Sequence, residues 1–172
     1  KLEVVLDAAE DLLEEKSQDV EFLLVGGGVR KGSLKENARS RGVTNLRFAG
    51  PVDKAEVFPL MEESDALLIH LKESKAFSKT IPSKVFDYLY ANKPILYGIE
   101  GEGKEILDSL PGNLYFQQEN SESLAEAINK LANNYKEYAT KAEYNRDFVL
   151  ENYSREKMTE KLISLLEDLN SI

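Results

Sequence analysis

A group of lysines near the middle of the chain is the part of the sequence best suited to chemistry. Four of them follow an apolar run that ends at His70, with Glu73 as the one acid between them: Lys72, Lys75, Lys79 and Lys84. The whole chain has a net charge of −9, so a local excess of cations stands out. Lysine binds phosphate as a compact point charge. The stretch predicts an anion site, and a solvated surface loop is the alternative.

A helix is predicted beside these lysines, over residues 83–91, directly after Pro82. Proline has no N–H to donate and suits the start of a helix. The amides of Ser83 and Lys84 then fall in the first turn, where backbone N–H groups have no partner within the helix. A diphosphate bound there would gain these donors, the field of the helix end and a lysine charge.

The same helix carries Asp87, whose carboxylate could accept hydrogen bonds from the two hydroxyls of a ribose. An exposed helical acid paired with Lys84 is the simpler interpretation, and position alone favours it. His70, the single histidine, has no acids near it at metal-ligand spacing. A structural histidine at the end of a strand is therefore favoured over a metal ligand or a catalytic base.

Two glycine-containing turns follow apolar runs earlier in the chain. The first contains Gly26, Gly27 and Gly28, and the second contains Gly50, Pro51 and Val52. Glycine after a strand allows the backbone to approach a ligand closely. The spacing matches neither the dinucleotide fingerprint nor a P-loop, so a tight turn explains these residues equally well.

Short apolar runs alternate with helical patterns along most of the chain. The predicted strands are residues 21–25, 45–49, 66–70, 94–97 and 113–116. The predicted helices between them are residues 33–41, 54–63, 83–91 and 103–109, after an opening helix over 2–16. Continuous apolar runs are typical of strands buried on both faces. The alternation predicts an α/β fold with a Rossmann-like, doubly wound parallel sheet.

Three C-terminal helices are predicted after the last strand, over residues 122–133, 135–150 and 154–169, the first capped by Asn120 or Ser121. No linker-like segment interrupts the pattern, so residues 1–172 are interpreted as one domain. A doubly wound sheet normally opens with a strand, whereas this chain opens with a helical pattern. We expect the first strand and its loop to lie upstream of Lys1.

Composition narrows the possible functions. The hydrophobic fraction of 42% is typical of a folded globular protein. The net charge of −9 argues against binding nucleic acid as the main activity. The absence of cysteine excludes thiol catalysis, zinc–thiolate sites and disulfides. No apolar run approaches the 18 residues of a membrane-spanning helix, so no transmembrane segment is predicted.

Taken together, these segments resemble the carboxyl-terminal domain of GT-B glycosyltransferases of the large family-4 type. The resemblance covers about residues 19–131 and rests on four segments in order: FLLVGGG, NLRFAGPVDKAEVFPLMEESDALLIHL, IPSKVFDYLYANKPIL and GEGKEILDSLPGNLYF. The third segment is particularly similar to transferases that build bacterial surface polysaccharides.

The resemblance implies a role for each candidate residue. The loop with Gly50, Pro51 and Val52 would hold the base of a sugar nucleotide, and Gly26 and Gly27 would line the same cleft. The helix start at Pro82, Ser83 and Lys84 would meet the diphosphate, and Asp87 would hold the ribose. The family usually has two glutamates eight positions apart; here Lys79 and Asp87 stand at those positions.

The resemblance also implies what the whole enzyme does. It would transfer a sugar from a nucleotide diphosphate, with UDP favoured, to a glycan or lipid-linked acceptor, without a metal or further cofactor. An amino-terminal acceptor domain would complete a cytoplasmic enzyme, peripheral to the inner membrane face, and we expect this fragment alone to be inactive. Two alternatives stay open: a nucleotide-sugar epimerase of similar fold and a noncatalytic flavodoxin-like binding module.

Overall fold

The computed structural model describes residues 2–15, 19–74 and 80–170. Helices and strands alternate through the first two thirds of the chain. The strands are β1 (Phe22–Val25), β2 (Leu46–Gly50), β3 (Leu67–His70), β4 (Ile95–Gly98) and β5 (Leu114–Tyr115). The helices between and before them are α1 (Glu3–Glu15), α2 (Lys31–Ser40), α3 (Lys54–Glu63), α4 (Lys84–Tyr90) and α5 (Glu102–Asp108). Four helices follow: α6 (Ser121–Asn133), α7 (Tyr135–Ala142), α8 (Asn145–Tyr153) and α9 (Arg155–Asn170).

All described strand pairs are parallel, which confirms the predicted α/β class. They form two sheets, one with β1 beside β2 and one with the order β3-β4-β5. The sequence predicted one continuous sheet, whereas the described strands form two. No described strand joins the edge of β1 to the edge of β3. Each strand begins and ends within one residue of its predicted bounds.

One apolar core spans both sheets on the face covered by α1, α2 and α6. α1 contributes six buried residues at helical spacing, and α6 packs directly along it. Phe22 and Leu24 of β1 reach this core, as does Leu68 of β3. Fully burying one such side chain contributes about 1.5–3 kcal/mol. The burial of α1 thus holds the two sheets in the same layer.

A second apolar core lies on the opposite face of the three-stranded sheet. Ile69 of β3 and Tyr97 of β4 point into it, together with Val85 and Leu89 of α4. Leu68 and Ile69 therefore lie on opposite faces, as expected for successive residues of a strand. The continuous apolar runs read from the sequence are explained by this burial on both faces.

The helix predicted over residues 135–150 is wrong in one respect: it is broken into α7 and α8. The N–H of Arg146 donates to the side-chain Oδ1 of Asn92, at 2.7 Å, instead of to a carbonyl within a helix. The buried side chain of Asn145 donates to the carbonyl of Lys93 and to Oδ1 of Asn113. These contacts with the turn before β4 replace the hydrogen bonds of a continuous helix.

The cap predicted for α6 is confirmed, because Asn120 Oδ1 accepts a hydrogen bond from the N–H of Ser123 at 2.9 Å. The large apolar side chains of α9 are exposed, and Leu165 is 61% exposed. Within the described parts of the chain, no helix has both the length and the apolar character needed to cross a membrane.

Asn145→Ala should lower the free energy of unfolding by about 1–3 kcal/mol, because it leaves buried acceptors at Lys93 and Asn113 without this donor. Urea unfolding followed by circular dichroism measures the change. Asn129→Ala is the matched control, since Asn129 bonds the exposed carboxylate of Glu15, and its effect should stay within about 0.5 kcal/mol. Equal effects of the two variants would contradict the structural role given to Asn145.

Candidate functional site

The carboxyl ends of parallel strands meet at one edge of a sheet, where open α/β folds bind ligands. Here this edge carries the loops that follow β1, β2, β3 and β4. Every candidate site residue in the described ranges lies in one of these loops, at the last position of a strand or in the first turn of the next helix. Lys75 and Lys79 lie outside the described residues, so their predicted roles stay predictions.

The two glycine-containing turns meet at this edge. The N–H of Gly26 donates to the carbonyl of Gly50 at 2.8 Å. A Cβ at Gly27 would lie 3.7 Å from the ring of Pro51, so these two residues are packed together. Gly50 has φ +84°, a conformation that favours glycine. The backbone conformation alone therefore explains why this residue is a glycine.

Lys31 joins this pair of turns, although sequence reasoning missed it. A Cβ at Gly50 would lie 3.0 Å from the Nζ of Lys31, so the ammonium group reaches the end of β2. Lys31 is the first residue of α2 and follows the glycine run closely. A lysine at the start of a predicted helix, as at Lys84, is the sequence signal that could have identified Lys31.

A cavity of about 580 Å³ opens at the same edge, between the loops after β1 and β3. Volumes of roughly 300–1,000 Å³ are typical of small-ligand sites. Its charged lining residues are Arg30, Lys72 and Glu3, and its other lining residues are Leu2, Ser33, Leu34 and Asn37. Only Lys72 was singled out from the sequence.

The cavity lining carries one more positive than negative side chain. Arg30 Nη1 pairs with Glu3 Oε1 at 3.1 Å, and both side chains are well exposed to solvent. Backbone hydrogen bonding at the start of α1 lowers the pKa of Glu3, and the charge of Arg30 lowers it further. Among the described residues no carboxylate pairs with Lys72. The lining therefore suits an anion better than a cation.

The predicted phosphate site lies at the start of α4. The carbonyl of Pro82 accepts from the N–H of Val85, so the first turn begins at the proline. No acceptor for the amides of Ser83 and Lys84 is found in the ranges that the structure describes. Both residues are exposed, which leaves these donors open to a ligand.

The start of α5 lies against the start of α4. A Cβ at Gly103 would lie 3.3 Å from the ring of Pro82, so glycine permits this close approach. Asp108 at the other end of α5 accepts a hydrogen bond from Tyr97, which ties the helix to β4, and a second one from Lys104 of the same helix. Burial raises the pKa of Tyr97, so its hydroxyl stays protonated as a donor. Gly103 was not singled out from the sequence.

Asp87 is exposed on the first turn of α4, while its neighbours Val85 and Leu89 are buried beneath it. The structure shows no ion pair between Asp87 and Lys84, so the simple pairing considered from the sequence is absent. Both side chains are available at the same end of the helix.

His70 closes β3 in a half-buried position and lies against Phe116 in a tilted arrangement, with 5.9 Å between ring centroids. Both ring nitrogens are shielded from solvent and have no hydrogen-bond partner in the described parts of the structure. Burial lowers the pKa of His70, and the negative charge of Glu119 opposes this shift. The geometry fits the structural role that the sequence favoured.

His70 should titrate below its ordinary pKa of 6.5 in the folded protein, because burial disfavours its cation. The neutral ring then contributes stability above pH 6.5, and this is lost as the pH falls through the lower folded pKa. Since His70 is the only histidine, one NMR titration of imidazole resonances measures it directly. His70→Phe should remove this signal and flatten the pH dependence of unfolding; a folded pKa at or above 6.5 would contradict the prediction.

Several solved structures share this fold. The chain superposes on HepE of Anabaena, solved with UDP, with a TM-score of 0.80 and 16% identity, over 96% of this chain and 44% of that chain. For a glycosyltransferase of Rickettsia africae ESF-5 the TM-score is 0.78 and the identity 21%, over 96% of this chain and 43% of that chain. Our chain therefore spans less than half the length of these two proteins.

An isolated domain gives a further comparison. The C-terminal domain of LpcC, a group 1 glycosyl transferase of Francisella tularensis, superposes with a TM-score of 0.69 and 17% identity, over 88% of this chain and 78% of that chain. These likenesses show a Rossmann-like GT-B carboxyl-terminal fold. No curated protein sequence matches the chain. The family model for group 1 glycosyl transferases matches residues 1–134, and the chain belongs to this family.

Proposed function

We propose that this chain is the donor-binding domain of a glycosyltransferase that uses a nucleotide diphosphate sugar. The observation that carries the proposal is the family match over residues 1–134, which includes every candidate site residue. A structural fact that supports it is that the glycine turns and the segment leading into α4 all follow the carboxyl ends of parallel strands. The epimerase and the flavodoxin-like module lose support, because the family matched is that of the transferases.

The proposed donor lies along the carboxyl edge of the two sheets. Its base contacts the turn of Gly50, Pro51 and Val52, beside Gly26 and Gly27. Its diphosphate contacts the amides of Ser83 and Lys84 and the ammonium of Lys84. Its ribose hydroxyls donate to the carboxylate of Asp87. Lys79 is included in the proposed site only because of its position in the sequence.

UDP is the proposed nucleotide. HepE of Anabaena was solved with UDP and with UDP-glucose, and it shares this fold. The proposed base site consists largely of glycine and proline backbone, with Gly50 buried and Gly26 and Gly27 exposed, so the choice of base depends on main-chain hydrogen bonds around Gly50.

In the transfer reaction, these groups orient the donor and stabilise the leaving diphosphate. Negative charge develops on the diphosphate as its bond to the sugar breaks. Amide donors and a lysine already aimed at this position stabilise that charge without reorganising. The acceptor, a glycan or a lipid-linked molecule, would bind to a second, amino-terminal domain, so the isolated fragment would bind the donor without transferring the sugar.

Lys84→Ala should weaken binding of UDP to the full-length protein by roughly 10-fold or more, because it removes a charged contact to the diphosphate. Asp87→Ala should weaken UDP and UDP-sugars by a similar factor, because it removes the acceptor for the ribose hydroxyls. Isothermal titration calorimetry with UDP, GDP, UMP and UDP-glucose measures both effects. UMP should bind more weakly than UDP and be less sensitive to Lys84→Ala.

Matched controls come from two exposed residues in the first turns of other helices. Lys136→Ala in α7 and Asp147→Ala in α8 remove the same charges at positions outside the proposed site, and they should leave affinity unchanged. Circular dichroism confirms that each variant is folded. Absence of UDP and GDP binding by the folded full-length protein would overturn the donor site, and equal losses in control and site variants would overturn its location.

A further inference from the structure

We propose that Lys31 selects the base of the donor nucleotide. Its ammonium group favours a base with a carbonyl oxygen at C4 of a pyrimidine or C6 of a purine, as in uracil and guanine, over a base with an amino group there, as in cytosine and adenine. The inference rests on the proposed function, because it takes the turn of Gly50, Pro51 and Val52 as the base site. It adds a side chain to the main-chain groups that distinguish one base from another.

Lys31 reaches the end of β2 because the glycine turn after β1 closes directly onto α2. The N–H of Lys31 donates to the carbonyl of Gly28 at 2.9 Å, so the first residue of α2 follows the turn closely. The side chain then extends to Gly50, where a Cβ would lie only 3.0 Å from the Nζ atom. The absence of a side chain at Gly50 therefore leaves the space that the ammonium group uses.

The backbone of the base turn has few free hydrogen-bonding groups at this point. The carbonyl of Gly50 already accepts from the N–H of Gly26 at 2.8 Å. Pro51 has no N–H to donate. Among the residues that the structure describes, only Lys31 brings a side-chain atom within 4 Å of a Cβ placed at Gly50. A side chain that discriminates between bases at Gly50 is therefore that of Lys31.

The charge of Lys31 is available to a ligand. The neighbouring cation, Arg30, is paired with Glu3 at 3.1 Å. No carboxylate in the described ranges pairs with Lys31. The side chain of Lys31 is half-buried, so its charge interacts more strongly with a nearby group than it would in bulk water.

An ammonium group discriminates between bases because it has three donors and no acceptor. It donates to the carbonyl oxygen of uracil or guanine, and this hydrogen bond is strengthened by the charge. The amino group of cytosine or adenine also presents N–H donors, so it meets the ammonium group donor to donor. Specificity of this kind combines an attractive contact with the right base and a repulsive contact with the wrong one.

Titration calorimetry of the full-length protein with UDP, CDP, GDP and ADP tests the proposal. The unsubstituted protein should bind UDP at least about 10-fold more tightly than CDP, and GDP more tightly than ADP by a similar factor. Lys31→Met keeps the length of the side chain and removes its charge. It should reduce both ratios to about 3-fold or less, mainly by weakening UDP and GDP.

Lys35→Met is the matched control. Lys35 lies one turn further along α2 and is exposed, so this change removes the same charge from the same helix and should leave both ratios unchanged. Lys31→Gln provides a second variant if Lys31→Met does not fold. The amide of glutamine has both a donor and an acceptor, so CDP should gain affinity relative to UDP. Circular dichroism checks that each variant is folded.

The outcomes separate this inference from the proposed function. A protein that binds UDP and CDP equally tightly overturns the role of Lys31. A loss by the same factor for all four nucleotides in Lys31→Met also overturns it, because it assigns the ammonium group to the diphosphate. In both cases the nucleotides still bind, so the donor site stands. Binding of none of the four by the folded full-length protein overturns the proposed function and this inference together.

Discussion

The burial of α1 is the interaction on which the rest of the structure depends. Its apolar face, which includes Leu6 and Leu12, packs along α6 and over strands from both sheets. Arg41 at the end of α2 adds hydrogen bonds to Asp7 and Glu10 on the other side of α1. No described strand pair links the two sheets. The packing of this helix layer therefore holds the carboxyl ends of their strands at the same edge of the molecule. A cleft that uses loops from both sheets exists only while this packing is intact.

Parallel strands with apolar cores on both faces leave one place for polar chemistry. Side chains along the strands are committed to packing, as Leu68 and Ile69 illustrate on opposite faces of β3. Functional groups must therefore come from the strand-end loops and from backbone amides at helix starts. This explains why glycines and a proline, which have no reactive side chains, make up much of the candidate site. Gly50 and Gly103 each serve by allowing backbone to approach a neighbour closely.

The sequence predicted the helices and strands well, because the local pattern of apolar residues indicates which positions are buried. The β4 run is apolar at every position, and all four of its residues are buried. The break between α7 and α8 could not be predicted, because it depends on hydrogen bonds from Asn145 and Arg146 to residues more than 50 positions away. Local periodicity continues through the break, whereas the tertiary contact that causes it has no local signal.

The candidate site was predicted in part for the same reason. Gly26 and Gly50 were identified because glycines after apolar runs mark strand-end turns. Lys31 was missed because its position depends on how α2 lies against the end of β2. Arg30 was missed because it lines the same cavity as Lys72 only in the folded chain. The two residues lie in loops that follow strands of different sheets.

Net charge and local charge have separate roles in this protein. The acids that give a charge of −9 lie largely on helix surfaces, and several neutralise nearby cations, as Glu137 does for Lys141 and Glu160 for Lys157. Lys31, Lys72 and Lys84 stand at the carboxyl edge without such a partner among the described residues. A dianionic ligand approaching the acidic surface is repelled over a Debye length of about 8 Å at physiological ionic strength. At the edge itself, the field is set by these lysines and the helix starts, so binding of an anion is local and depends on its geometry.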